Sequence, residues 1–366
     1  MSKQTSRLQG LDGLRGIAIL LTVACHLWST LSGQVLLPEG SLNVFLYAGN
    51  AGVTLFFVLS GFLVSLPFFR SLNRGELYPI NRYAQQRLMR ILPPYYVVGL
   101  VGIVCTGRED QLFSMLLFRA SAFDVGYFST VWWSLATEIQ FYLILPVFFL
   151  AALSRYRLML LSVALILCVS AYMAVMLKVV GPEGPEGNKL RFQLILSVIG
   201  QMPAFTVGAL LAGIYTHRKI NPFRPFLGRA LVMMLIFLLG WVLAPGARIG
   251  AIKYTYLCPW QVLPQAVIWG GVLWLLLNRE IGTRSLLDNQ LTRYFGKISF
   301  SLYLVHMPVL HLILPTKETH GLWLSLLATS ALSVGVAQLS YLLIEHPALR
   351  LRNKLFPPRT SSGALV

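Results

Sequence analysis

Runs of about twenty apolar residues recur along the whole chain, and they leave few architectures open. A segment that crosses a bilayer as a helix needs roughly 20 residues at ~1.5 Å each. Reading for such segments predicts ten helices, near residues 14–32, 44–67, 91–106, 131–152, 158–177, 192–215, 230–247, 260–278, 295–314 and 322–344. Only 12% of the 366 residues are charged, about half the share of a soluble chain. Backbone in lipid has no water to bond with, so it must satisfy itself within each segment. The predicted fold is therefore all-α, a polytopic transmembrane bundle of about ten helices. Residues 112–123 are apolar but too short to span, and they read as an interfacial or re-entrant piece.

A net charge of +17 suggests a nucleic-acid partner until it is mapped. With the N-terminus placed in the cytoplasm, 22 of the 30 basic residues fall in inner loops and eight in outer ones. That bias sets orientation, so the expected arrangement is N-in and C-in. After the acidic residues are subtracted the inner side carries +17 and the outer side +1, with Glu138 left inside the membrane. The basic character is thus a topology signal, with attraction of anionic ligands or lipid head groups as a secondary use. No nucleic-acid partner is expected. The first apolar run reads as an uncleaved anchor. Cys25, Cys105, Cys168 and Cys258 are scattered and suggest neither a disulfide framework nor a metal site. Residues 1–366 read as a single membrane domain with its core at 8–350 and a cytoplasmic tail at 351–366.

Within this apolar frame a few ionisable groups stand out. Arg15 and His26 share the first run eleven residues apart, which places the imidazole about 16 Å deeper than the guanidinium. An ionisable group at that depth is costly unless paired or hydrated, and it marks a functional site by default. The plain alternative is a histidine bonded to a neighbouring helix for packing. His306 lies at a similar depth on the ninth run, and Glu138 about 10 Å below the outer surface on the fourth. Three groups from three helices are expected to converge on a polar cavity, where the carboxylate would fix the tautomer of one imidazole and leave its other nitrogen as a base. On the opposite side Arg87 and Arg90 share a helix face three residues apart, with Arg82 a turn earlier and Arg15 near in depth. Such guanidiniums suit the phosphates of a cytoplasmic donor; anchoring to lipid is the alternative. Ser60–Gly61 permits close approach of a backbone or a ligand. Trp132 and Trp133 fit interfacial anchors, and they could also stack on a sugar.

These segments together resemble the acyltransferase 3 family of integral membrane acyltransferases. RLQGLDGLRGIAILLTVACHLW has the family's first-helix pattern, an Arg or Lys separated from a His by ten residues. FFVLSGFL resembles its second helix and QQRLMRILPPYY its Arg-rich start of the third. VWWSLATEIQFYLILPVF matches the Trp-Ser-Leu, Glu, Phe-Tyr, Pro motif, GKISFSLYLVHMPV the penultimate helix with its His, and IEHPALR the end of the last helix. The six lie in family order across residues 8–350. The resemblance implies transfer of an acyl group, usually acetyl, from cytoplasmic acyl-coenzyme A to a hydroxyl, typically of a lipid-linked or exported glycan. It gives His26 and Glu138 catalytic roles and assigns Arg15, Arg87 and Arg90 to donor binding or structural organisation. His306 and Ser60 line the site, with Ser60 counted on the donor side and Trp133 with His306 on the substrate side. No metal is expected. Some relatives carry an extracellular hydrolase-like domain; this chain, ending at Val366, is expected to lack it.

The expected mechanism brings the thioester from the cytoplasm to His26, which acts as general base on the acceptor hydroxyl or as a covalent acyl carrier. Ser60, His306 or a backbone N–H are candidate oxyanion donors. The expected location is the inner (plasma) membrane, with the lipid bilayer, a glycan or glycolipid acceptor, and either a second copy or an acyl-handling protein as partners. The rival class is a proton-coupled transporter or flippase of a polysaccharide-export pathway, since intramembrane His and Glu also build proton relays; no duplicated halves are visible to support it. A non-catalytic export subunit and an unrelated membrane acyltransferase fold are further rivals.

Overall fold

The computed structural model describes residues 3–32, 46, 49–118, 131–153, 194–217, 225–249, 259–277 and 287–356. The run expected at 158–177 lies outside them, as do Cys168 and Cys258. The described residues form helices: α1 (Lys3–Leu31), α2 (Asn50–Leu72), α3 (Ile80–Thr106), the short α4 (Leu112–Leu116), α5 (Trp133–Leu153), α6 (Val198–His217), α7 (Pro225–Ile249), α8 (Val262–Leu277), α9 (Gln290–Ile313), α10 (Lys317–Ser340) and α11 (His346–Leu355). No strand occurs among the described residues.

Among the described residues seven helical stretches are long and apolar enough to cross a membrane; ten are expected from the whole sequence. The last of them, Gln290–Leu355, covers 66 residues and is interrupted after α9 by a 3-10 turn at Leu314–Thr316 and by a break at Gly321 near the start of α10, where φ is 76°. The apolar α8 is shorter, at 16 residues. Apolar composition explains the interiors, and polar chemistry explains the ends. Asn289 caps α9, with its side chain accepting from Thr292 N–H at 2.9 Å and the Thr292 hydroxyl accepting from Asn289 N–H at 3.1 Å, a capping box. Gly107 ends α3 in the left-handed region, φ 65°, where a residue without Cβ is at ease. The helix begins at Ile80 instead of near residue 91, because nothing in NRYAQQRLMR breaks it; the arginines of that segment therefore ride on a helix. Pro93 and Pro94 sit inside α3, tolerable in a bundle where neighbours satisfy the freed carbonyls. The interfacial piece expected at 112–123 is described as far as residue 118; it opens with α4, preceded by a 3-10 turn at Glu109–Gln111. It is pegged to α3 by the hydroxyls of Tyr95 and Tyr96, which donate to the carbonyls of Met115 and Leu116 at 3.0 and 3.2 Å.

Two close pairs build the bundle. α1 runs parallel to α9 with their backbones in contact: a Cβ added at Gly16 would lie 1.9 Å from the Thr292 carbonyl oxygen, and one at Gly296 would lie 1.8 Å from that of Asp12. α2 packs on α6 in the same way, with Gly61 against the Phe205 carbonyl and Gly208 against that of Val58. Without a hydrophobic force between helices in lipid, small residues allow the close approach that dispersion needs. Gly52 against the Ala18 carbonyl joins the two pairs, so α1 lies between α2 and α9. Trp132 is a core residue, 2% exposed and against Tyr95 at 5.1 Å between ring centres, instead of the interfacial anchor that its position suggests. Among the described residues, exposed aromatics include Phe237, Trp241 and Trp323.

Replacing Gly296 by valine forces α1 and α9 apart. The expected loss is about 1–3 kcal/mol, the usual range for overpacking, read as a lower unfolding midpoint in detergent. The same change at Gly335, which has open space around it, is expected to leave the midpoint within error.

Candidate active site

Register between α1 and α9 decides where the two deep histidines meet. Gly16 and Gly296 mark the crossing, and His26 and His306 each lie ten residues beyond it, about 15 Å along parallel helices. The rings arrive side by side, with His26 Nδ1 2.9 Å from His306 Nε2 and the ring planes within 11°. His306 is fully buried, and its Nδ1 lies 2.9 Å from the Tyr303 carbonyl oxygen and 3.1 Å from that of Leu302. Carbonyls only accept, so His306 Nδ1 carries a proton and donates it. No carboxylate bonds to either ring among the described residues, and an unpaired imidazolium at this depth is costly, so both rings are neutral. A neutral His306 protonated at Nδ1 has its lone pair on Nε2. That lone pair accepts from His26 Nδ1–H, and His26 Nε2 is left as the basic nitrogen. The tautomer follows from partners whose roles are fixed.

Glu138 is placed differently from the sequence-based expectation. Its Oε1 accepts from the Ser60 hydroxyl, in a very short bond, and from the Tyr142 hydroxyl at 2.5 Å. It is therefore His306, and not Glu138, that orients His26. The reason is angular: Glu138 on α5 faces α2, where Ser60 sits, while α9 lies directly against α1. Glu138 and Ser60 line a cavity with room of about 80 Å³ for the centres of water-sized molecules, several waters by volume. Arg15, Arg87, Arg90, Tyr142, Ser134 and Tyr303 share its wall. Guanidiniums from α1 and α3 thus face a common space with the carboxylate and hydroxyl from α5 and α2. Arg82 is not on that wall. The Arg87 guanidinium lies over the Tyr142 ring, 5.6 Å from its centre, within the range of cation–π attraction. A continuous path of contact therefore runs from Arg87 through Tyr142 and Glu138 to Ser60.

The histidine pair stands one layer beyond this cavity. Neither ring is on its wall; Tyr303 is, and its ring centre is 5.7 Å from that of His306. The Tyr303 hydroxyl donates to the Val131 carbonyl in a very short bond and accepts from Ser134 Oγ at 2.7 Å, so it is held from both sides. Trp133 packs edge-on against Phe57, 6.1 Å between centres, behind the cavity wall that Phe57 forms.

Hydrogen-bond direction narrows the oxyanion donors. The Ser60 and Tyr142 protons are committed to Glu138 and the His306 proton to the α9 backbone, so none is spare in this arrangement. Arg87 Nε–H is buried without a hydrogen-bond partner and has capacity left. Tyr142, Ser134 and Tyr303 are site residues that reading the sequence passes over. Tyr142 had a signal, four residues after Glu138 on one helix face; Tyr303 had none, since an aromatic in an apolar helix reads as core. Among the described residues no group of three or more His, Cys, Asp or Glu side chains is arranged to hold a metal ion.

The family model described as "Acyltransferase domain" matches residues 8–345. Peptidoglycan O-acetyltransferase OatA of Listeria monocytogenes is 23% identical, over 94% of this chain and 57% of its own length. Nodulation protein 10 of Rhizobium leguminosarum bv. viciae is 27% identical, over 96% of this chain and 95% of its own. O-acetyltransferase OatA of Staphylococcus aureus is 23% identical, over 83% of this chain and 50% of its own. The chain therefore spans about half the length of the two O-acetyltransferases. No solved structure matches it.

The hydrogen-bond order can be read directly. In protein labelled with 15N-histidine, His26 is expected to show a protonated Nδ1 and a bare Nε2. Replacing His306 by phenylalanine is expected to abolish that preference, and an unchanged His26 spectrum in the variant would contradict the relay.

Proposed function

We propose an acyl transfer for this chain, which belongs to the acyltransferase-domain family, and assign it the movement of an acetyl group from acyl-coenzyme A to a hydroxyl of a glycan or glycolipid. The observation that carries the chemistry is the ordered bond from the α9 backbone through His306 to His26, which leaves His26 Nε2 with a lone pair. In this reading Nε2 takes the proton of the acceptor hydroxyl as its oxygen attacks the thioester carbonyl. The carbon–sulfur bond then breaks, and the coenzyme A thiolate leaves with the proton returned through the imidazole. A base so placed contributes about 10²–10⁴-fold. His306 acts as a positioning residue, because its backbone bonds set which nitrogen of His26 is free.

The donor reading rests on the cavity wall. Arg15, Arg87 and Arg90 suit the phosphates of the donor, which guanidiniums grip with charge-assisted bonds. The pantetheine arm runs from there along the cavity, past Ser60 and Glu138, and the thioester reaches His26 beyond Tyr303. Glu138 holds Ser60 and Tyr142 with both hydroxyl protons turned to itself, which keeps hydroxyl lone pairs facing the arm and, through Tyr142, sets the position of Arg87. The glycan acceptor is supported by the name of the Listeria relative, a peptidoglycan O-acetyltransferase. The placement in the inner membrane, with both ends of the chain in the cytoplasm, is supported by the excess of Lys and Arg in the loops expected inside.

Proteoliposomes given labelled acetyl-coenzyme A and a glycan acceptor test the whole reading. Wild-type protein is expected to put label into the acceptor. His26→Ala is expected to lower the rate at least a hundredfold, and Glu138→Gln to lower it strongly, with both variants eluting as folded protein. Near-normal turnover by His26→Ala would sink the base assignment, and unlabelled acceptor with wild-type protein would favour a transport function instead.

A further inference from the structure

The cation cluster does not end at the cavity wall. After α10 the chain passes through a π-helical turn, Tyr341–Glu345, into α11, and this terminal pair of elements packs against α3. Burial along it is periodic: Glu345 is buried, Ala348, Leu349, Arg352 and Phe356 are half-buried, and Arg350, Leu351, Asn353 and Lys354 are exposed. The spacing of three, four and seven residues marks one helix face, and that face is the one turned inward. Glu345 and Arg352 therefore share it, two turns and about 10 Å apart.

The two residues solve different problems. Glu345 is 3% exposed and accepts from the Ser301 hydroxyl on α9 at 2.7 Å; its charge attracts Arg90 and Arg15 at the cavity. Arg352 has the opposite relation. The charges of Arg90 and Arg87 oppose its own, and among the described residues its guanidinium bonds to the neutral side chain of Asn353, at 2.9 and 3.2 Å. Among the described residues neither Arg352, Arg87 nor Arg90 forms an ion pair, while Arg15 pairs with Asp12 at 3.4 Å. Three guanidiniums from two packed helices thus share one region of the bundle, none of them in an ion pair among the described residues, and Arg87 Nε keeps an unused buried proton. Like charges gathered this way raise the energy of the empty site and lower it when a polyanion enters.

We propose that Arg352 is a ligand-binding residue, the outermost phosphate contact of the nucleotide end of the donor. Arg87 and Arg90 hold the phosphates nearest the cavity, and Arg352, which is not on the cavity wall, holds one further out. This rests on the acyl-coenzyme A reading above. The chemistry selected is a donor carrying several phosphates along its length; a thioester on bare pantetheine lacks the group that Arg352 contacts. Phosphate in an anionic lipid head group has the same chemistry, and the test separates the two sources.

Full-length protein in zwitterionic nanodiscs is titrated with coenzyme A and with pantetheine, and again in discs containing phosphatidylglycerol. Arg352→Gln is expected to weaken coenzyme A binding about tenfold, to leave pantetheine binding within twofold, and to flatten the salt dependence of the former; Arg352→Lys is expected to recover most of the loss. Equal losses for both ligands, or none for coenzyme A, would overturn the inference while leaving the donor reading intact. A loss seen only as reduced phosphatidylglycerol enrichment around the variant would assign Arg352 to lipid and overturn it as well. Wild-type protein that binds no coenzyme A would refute the donor reading itself, and the inference with it.

Discussion

Backbone contact between α1 and α9 is the constraint on which the site depends. Gly13, Gly16 and Gly296 each face a carbonyl oxygen or Cα of the opposing chain at distances that no side chain allows. Such contact fixes the separation and also the register of two parallel helices. The histidines lie ten residues beyond it, so a shift of one residue would move one ring by about 1.5 Å along the axis and turn it by a quarter of a turn. Nothing in the imidazoles themselves would hold a 2.9 Å bond against such a shift. The glycines are therefore part of the chemistry, although they lie a full two turns and more from it.

Charge is sorted along the bundle in a way that the bilayer demands. The two imidazoles are neutral and bonded to backbone and to each other. The cavity wall carries one carboxylate and three guanidiniums. The terminal turn adds a buried carboxylate and a further guanidinium at the same end. A charge in hydrocarbon is tolerated only where it meets a partner or water, and each formal charge here lines the cavity or packs against an element that does. Tyr303 divides the two regions. It lines the charged cavity on one side and supports His306 with its ring and its carbonyl on the other.

Ser60–Gly61 shows how one dipeptide serves two ends. Gly61 admits the Phe205 backbone and closes α2 on α6, while Ser60, one residue earlier and about 100° around the helix, turns to Glu138 on α5. Packing and chemistry are not alternatives at this position, because a helix presents adjacent residues to different neighbours.

Much of the molecule can be read from the chain alone. The apolar runs determine an all-helical membrane bundle, because backbone in lipid has no other local solution. Depth along a helix follows from counting residues, which is why His26 and His306 are expected at one level and why Arg15, Arg87 and Arg90 are expected at the opposite end. The angular position around each helix and the choice of neighbour do not follow from counting. Those decided that His26 bonds to His306 instead of Glu138, that Tyr142 and Tyr303 line the cavity, and that α11, which carries Arg352, packs on α3. Residue spacing sets height, and only the packing of glycine-lined helices sets which faces meet.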